Sequence, residues 1–220
     1  MFTRIGIFVG FAPFVQIARG LVNKSLRLKK MPIDYPLVTG SKHWRRKMQT
    51  AFRGLDSNSD GLLTREDYLM SARRMAQYLD LNDKQAEAIL NLRLNIWKSL
   101  IIPGSKNEMD GVLSEKEFCK NRMERFNNLH LRQELFNTVI SVEFSTMDTN
   151  GDGAISNQEF AAYCHSVNIP TESSKKIFGI LDTNKDGLIS IEEFGQGHAD
   201  FWLSEDPNSK YNEFIGPLVD

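Results

Sequence analysis

The chain has 220 residues, enough for one large domain or two small ones. An apolar content of 41% supports a real core, and a net charge of −1 at pH 7 argues against a nucleic-acid binder, which would be clearly basic. Two cysteines, Cys119 and Cys164, form no CxxC pair, which excludes a zinc site of that type and suits reduced intracellular thiols.

Residues 1–40 are set apart by charge. Arg4, Arg19, Lys24, Arg27, Lys29 and Lys30 fall in the first thirty positions with no Asp or Glu among them, so the remainder is acidic. Residues 5–18 are apolar apart from Gln16 and are interrupted by Gly6, Gly10 and Pro13. That run is shorter than the ~20 residues a membrane-spanning helix needs. Three readings stay open: a mitochondrial presequence that meets import machinery, a secretory signal, or a membrane-touching helix or disordered tail. Residues 31–40 hold two prolines and a glycine and read as a linker.

Helical periodicity starts at Ser41. Trp44, Met48, Ala51, Phe52 and Leu55 share one face of a helix. It runs into residues 56–67, DSNSDGLLTRED, where Asp56, Asn58 and Asp60 alternate, Gly61 follows, and Asp67 closes the stretch. This is the spacing of an EF-hand calcium loop, with oxygens at positions 1, 3, 5 and 12, a carbonyl at 7 (Leu62), and Gly at 6 for the sharp turn. Ca²⁺ is a hard ion that takes six to eight oxygens, and short side chains on alternate residues of a tight loop supply them. Position 12 is usually a bidentate Glu. Asp67 is one methylene shorter, so this loop should bind Ca²⁺ more weakly or accept Mg²⁺.

An exiting helix follows through Leu79, and Asp83 stands as the N-cap of a long amphipathic helix ending near Leu100. Residues 106–117 form a defective loop. Lys106 puts an ammonium where the first carboxylate belongs, so the loop is expected to stay free of metal. Gly111 and the apolar Leu113 keep its structural signals. Leu113 matches Leu63, Ile155 and Ile189 at position 8 of the other loops, the place where paired hands form a short antiparallel contact.

Residues 129–147 are the third entering helix, with Leu135, Phe136, Val139, Ile140, Phe144 and Met147 along one side. Residues 148–159, DTNGDGAISNQE, then supply a complete loop: Asp148, Asn150, Asp152, the Ala154 carbonyl and Glu159. Another follows 34 residues on, with Asp182, Asn184, Asp186, the Leu188 carbonyl and Glu193. Between them Pro170 and Thr171 start the fourth entering helix, striped with Ile177, Phe178 and Leu181. The tail carries Phe201, Trp202, Tyr211 and Phe214 and should pack on the body.

The fold class expected is all-α: four EF-hands in two pairs within one compact domain, joined by short antiparallel β contacts between paired loops. The division is a 1–40 extension, a first pair over 41–128, a second over 129–203, and a tail over 204–220. Four hands with the second lacking metal resemble the sarcoplasmic calcium-binding proteins and their relatives, the coelenterazine-using photoproteins and the luciferin-binding proteins. Trp44, the run His198-Ala199-Asp200-Phe201-Trp202 and residues 216–219 (GPLV) add to the resemblance. It implies paired hands around a central cavity or core, which in photoproteins holds a luciferin gripped by His, Tyr and Trp. His198 and Trp202 match the last such pair. Met48 stands where a His is expected, and residues 117–126 offer no Tyr or Trp.

The expected function is a Ca²⁺ buffer with three sites. A Ca²⁺-regulated carrier of a small apolar ligand and a Ca²⁺ sensor are the alternatives. Cytoplasmic location is expected, or mitochondrial through the basic extension. No catalytic role is expected, since adjacent Cys164 and His165 point to different sides of a helix.

Overall fold

In the computed structural model, residues 26–100 and 111–220 are described, so residues 5–18 and positions 1–5 of the second loop lie outside them. Eight helices carry the fold among these residues. Helix α1 spans Lys42–Leu55, α2 Arg65–Tyr78, α3 Asp83–Leu100, α4 Glu115–Phe126, α5 Leu129–Met147, α6 Asn157–Ser166, α7 Thr171–Leu181 and α8 Ile191–Leu203. Between helices of each hand sits a two-residue strand: β1 Leu62–Leu63, β2 Leu113–Ser114, β3 Ile155–Ser156 and β4 Leu188–Ile189.

The strands pair antiparallel in two ribbons, with Leu63 opposite Leu113 and Ile155 opposite Ile189. The apolar position 8 is thus where two loops of a pair meet, as expected. Leu63, Ile155 and Ile189 are fully buried, so each ribbon is anchored from below by its own side chains. The architecture is four hands in two pairs.

Core positions follow the helical stripes. Trp44, Met48, Ala51 and Phe52 of α1 are buried, and the Trp44 indole N–H donates to the Trp202 carbonyl at 2.9 Å. On α5, Leu135, Phe136, Ile140, Phe144 and Met147 are buried, and so are Thr138, Ser141 and Thr146 on other faces. Thr146 and Ser141 satisfy their hydroxyls on carbonyls one turn back, at 2.8 Å each. Helix α5 is therefore covered on more than its apolar side.

Two local expectations change. The cap of α3 is Asn82, whose side chain accepts the Gln85 N–H at 3.1 Å, and Asp83 lies inside the first turn. Asp and Asn are equally good caps, and Asn82 also gains a reciprocal bond to the Gln85 side chain at 2.7 Å. Second, residues 31–40 are not a loose linker. Pro32–Asp34 form a 3-10 turn, and Leu26, Leu28, Tyr35 and Val38 are buried. The buried Arg132 guanidinium at the start of α5 fastens this strap, donating to the Tyr35 carbonyl at 2.6 Å and the Phe126 carbonyl. Such charge-assisted bonds are strong enough to order a segment that lacks regular structure.

The tail covers the other end. Phe214 is buried against Phe194, Phe201 and His198, with centroids 5.5 to 6.0 Å apart. The Val219 N–H donates to Thr50 Oγ1 at 3.0 Å, and Arg46 donates to the Val219 carbonyl at 2.8 Å.

Lys47 on α1 is fully buried, with its ammonium 2.6 Å from the Ser204 carbonyl. Burial lowers its pKa from 10.5 to about 8, against the pull of Asp200, Glu205 and Asp206. Between those two values the folded chain holds fewer protons than the unfolded one, so stability rises with pH. The gain expected across that window is about 3 kcal/mol, measured by denaturant unfolding at several pH values. A Lys47→Met variant should lose this rise, while titrating tyrosines affect both proteins alike. An unchanged pH slope in the variant would contradict the assignment.

Candidate calcium sites

Each complete loop is built from the same local bonds. Asp148, at position 1, accepts the N–H groups of Gly151, Asp152 and Gly153 at 2.8, 3.1 and 3.0 Å. Asn150 accepts the Asp152 N–H at 2.9 Å, and Asp152 accepts the Ala154 N–H at 3.0 Å. The other two loops repeat the contact of position 1 with the glycine N–H and the contacts of positions 3 and 5. Asp56 accepts from Gly61 at 2.9 Å and Asp182 from Gly187 at 3.1 Å. Asn58 and Asn184 accept from Asp60 and Asp186, which accept in turn from Leu62 at 2.8 Å and Leu188 at 2.9 Å. Alternating short oxygens fold the loop back on itself. Gly61, Gly153 and Gly187 hold φ near +85°, where a side chain would be strained.

The twelfth residue does two jobs. One Glu159 oxygen accepts from the N–H and hydroxyl of Thr149, at 2.9 and 3.0 Å. The other accepts from the N–H and hydroxyl of Ser156, at 2.9 and 2.8 Å. The second contact is a capping box, with Ser156 at the N-cap and Glu159 at N3 of α6. The same carboxylate therefore straps position 2 to position 9 and starts the exiting helix. Glu193 straps Thr183 and Ser190 in the same way, at 2.9 and 3.0 Å to their N–H groups. Asp67 also bridges the two positions, accepting from the Ser57 N–H at 2.9 Å and the Thr64 N–H at 2.7 Å, while the Ser57 hydroxyl donates to the Asp67 backbone carbonyl at 3.1 Å. A hydroxyl at position 2 (Ser57, Thr149, Thr183) recurs in all three loops, a signal the spacing rule does not use.

Electrostatics suit a cation. Burial pushes the Asp148 carboxyl above its ordinary value, and the charges of Asp152 and Glu159 push the same way. Burial also raises Glu193, but the N–H and hydroxyl groups of Ser190 and Thr183 bring it down to about 2. Asp182 Oδ1 is buried with no hydrogen-bond partner among the described residues. An unpaired carboxylate oxygen in that position is costly unless a cation meets it. The donor set is hard oxygen throughout, which fits Ca²⁺ or Mg²⁺ and not a thiol-seeking metal. Among the described residues no three acidic side chains already converge on one point, because the loop acids are spread over the loop's own N–H groups.

In the second hand, Glu117 accepts from the N–H and hydroxyl of Ser114 at 2.9 and 2.6 Å, so the cap of α4 survives. Lys106 lies outside the described residues.

His198 and Trp202 line a different place. With Phe126, Phe136, Arg122 and Glu143 they border a cavity of about 20 Å³ between α4, α5 and α8. The buried His198 ring stands 3.2 Å from Glu143. Burial pushes the Glu143 carboxyl up, but His198, Arg93 and Arg122 outweigh it and hold it below the usual range. The cavity has room for about one water, whereas small-molecule sites run to about 300–1,000 Å³. Cys164 is buried, with burial pushing its thiol up to about 12, which is unsuited to a nucleophile.

Comparison with known proteins gives consistent similarities. Residues 137–196 match the model of an EF-hand domain pair. A sarcoplasmic calcium-binding protein of Hediste diversicolor is 30% identical over 180 residues, which is 80% of this chain and 98% of that protein. A luciferin-binding protein of Renilla reniformis is 30% identical over 146 residues, covering 64% of this chain and 76% of that one. Among solved structures, the calcium-loaded apo form of the coelenterazine-binding protein from Renilla muelleri superposes with a TM-score of 0.67. It is 27% identical and covers 81% of this chain and 99% of its own.

Proposed function

We propose, from the premise that the chain belongs to the EF-hand family of the sarcoplasmic calcium-binding proteins, that it is a calcium buffer with three working sites. Hands 1, 3 and 4 supply them. Side chains of Asp56, Asn58, Asp60 and Asp67 with the Leu62 carbonyl would hold one ion. Asp148, Asn150, Asp152 and Glu159 with the Ala154 carbonyl would hold a second. Asp182, Asn184, Asp186 and Glu193 with the Leu188 carbonyl would hold a third. The observation that carries this is the threefold recurrence of one cradle, in which position 1 folds onto the glycine turn and position 12 straps the loop shut.

Each loop carries three formal negative charges within twelve residues, so an ion that draws them together offsets their repulsion and binding is linked to folding. Asp67, short and almost fully buried, suits a smaller six-coordinate ion, which makes the first site the Mg²⁺-tolerant one. A buffer reading is favoured over a sensor because Leu26–Val38 and the Phe214 segment are packed over the body.

Calorimetric titration with Ca²⁺, run alongside an apolar-surface dye, tests this directly. Three ions should bind, one of them displaced by millimolar Mg²⁺, with little change in dye signal. A large dye signal on Ca²⁺ addition would replace buffer by sensor, and binding of fewer than three ions would remove the three-site reading. A second reading is a ligand carrier, favoured by the likeness to a luciferin-binding protein, for which the space beside His198 and Trp202 would have to open. It requires coelenterazine to change the tryptophan fluorescence in the same titration.

A further inference from the structure

The first loop is held from outside its own pair of hands. Three contacts place the connection between α6 and α7 against it. Gly54 lies in the last turn of helix α1, where a Cβ would stand 3.0 Å from the Val167 carbonyl, so the backbones meet closely there. The next residue, Asn168, holds the left-handed backbone (φ 56°) and aims its amide at the loop. Its Nδ2 donates to the carbonyls of Gly54 and Asp56 at 3.5 and 3.4 Å. Its Oδ1 accepts from Arg74 Nη1 at 2.7 Å, while Arg74 Nη2 donates to the Ser57 carbonyl at 2.9 Å.

Ser57 is position 2 of the loop. Its backbone is gripped on both sides of the Cα: the carbonyl by Arg74, and the N–H by Asp67 at 2.9 Å. Asp67 is the short twelfth residue whose carboxylate must also serve the ion. Fixing the Ser57 backbone fixes one anchor of that carboxylate. The third loop shows a matching contact in the opposite direction, since Gln85 of α3 donates to the carbonyl of Thr149, its position 2, at 3.4 Å. The first pair thus touches position 2 of the third loop directly, whereas the second pair reaches position 1 of the first loop through Asn168 and position 2 only by way of Arg74.

We propose that Asn168 is a positioning residue of the first calcium site, acting through Arg74 and the Ser57 backbone and supplied by the other pair of hands. This rests on the first loop being a metal site. Ordering the loop before the ion arrives lowers the entropy lost on binding, so affinity rises without a new ligand. Asn suits this place because its Oδ1 makes the short contact to Arg74 at 2.7 Å, its Nδ2 contacts are longer at 3.5 and 3.4 Å, and it tolerates the left-handed backbone.

The test uses the full chain in two backgrounds. With Glu159→Gln and Glu193→Gln only the first loop answers Ca²⁺; with Asp56→Asn only the third and fourth do. Asn168→Gly keeps the backbone angle and removes the amide. It should weaken the first site about fivefold, the worth of about one net hydrogen bond, and leave the other two within about twofold. Asn168→Asp keeps an acceptor for Arg74 and should recover most of the loss. A merely structural role predicts otherwise, because Asn168 lies in sequence between the third and fourth loops and would disturb those first. Equal weakening at all sites, an unchanged first site, or no recovery in Asn168→Asp overturns the proposal. Absence of Ca²⁺ binding in the Glu159→Gln/Glu193→Gln parent itself instead refutes the first loop as a metal site, and the inference falls with it.

Discussion

Calcium added to the metal-free protein is expected to raise its midpoint of thermal unfolding by about 15–30 °C. At free Ca²⁺ about a hundred times the dissociation constant, each site stabilises the fold by about 2.7 kcal/mol, so three give about 8 kcal/mol. For a chain of this size 1 kcal/mol moves the midpoint by about 2–4 °C. The loops explain why the effect should be this large. Their acids are close enough for the charges of Asp152 and Glu159 to push the Asp148 carboxyl upward, together with burial. One oxygen of Asp182 has no hydrogen-bond partner among the described residues. The ion relieves both costs in the folded state alone. Differential scanning calorimetry with chelator and with excess Ca²⁺ provides the measurement. A rise below about 5 °C would mean that at most one site is strong.

Glu159→Gln should delete the third site, reducing the ions bound from three to two and weakening that loop at least about a hundredfold, beyond the cost of changing an outer-shell partner. The change is isosteric, so the loss must come from charge and hydrogen-bond polarity. In the native loop all four contacts to the Glu159 carboxylate are donors: the N–H and hydroxyl groups of Thr149 and Ser156. An amide presents one oxygen and one NH₂. Whichever way it turns, one of the two N–H anchors faces another donor. The loop loses half its strap, the exiting helix α6 loses part of its capping box, and the ion loses a bidentate ligand. Equilibrium dialysis against labelled Ca²⁺ counts the ions retained. Three ions bound to the variant would show that Glu159 is a cap only, and the ligand assignment would fall.

What could be seen in the sequence depended on distance along the chain. A calcium loop closes within twelve residues, so its pattern is local, and the pairing of Leu63 with Leu113 and Ile155 with Ile189 follows from position 8 alone. Residues 129–147 were legible as a helix because apolar groups recur at helical spacing. Asn168, Arg74 and Gly54 carry no such pattern. Asn168 lies more than ninety residues from Arg74 in sequence, and an exposed Asn after a helix has many ordinary uses. The strap over residues 26–38 was hidden for another reason. Prolines and a glycine signal a break in regular structure, but they do not say whether the irregular segment is buried, and Arg132 does that from a hundred residues away. His198 and Trp202 were visible as a pair, but the size of the space they border depends on how Phe126 and Phe136 fill it.

The anchoring of residues 211–219 on α1 has a consequence for synthesis. Phe214 and Ile215 complete the core, and Val219 is tied to Thr50 and Arg46. Helix α1 leaves the ribosome well before its cover is translated. The nascent first hand must therefore wait, with the Trp44 indole and the Thr50 and Arg46 side chains without their final partners, until Trp202 and Val219 have emerged. Chaperone dependence during translation, and little autonomy for a fragment holding the first two hands, are the biological corollaries.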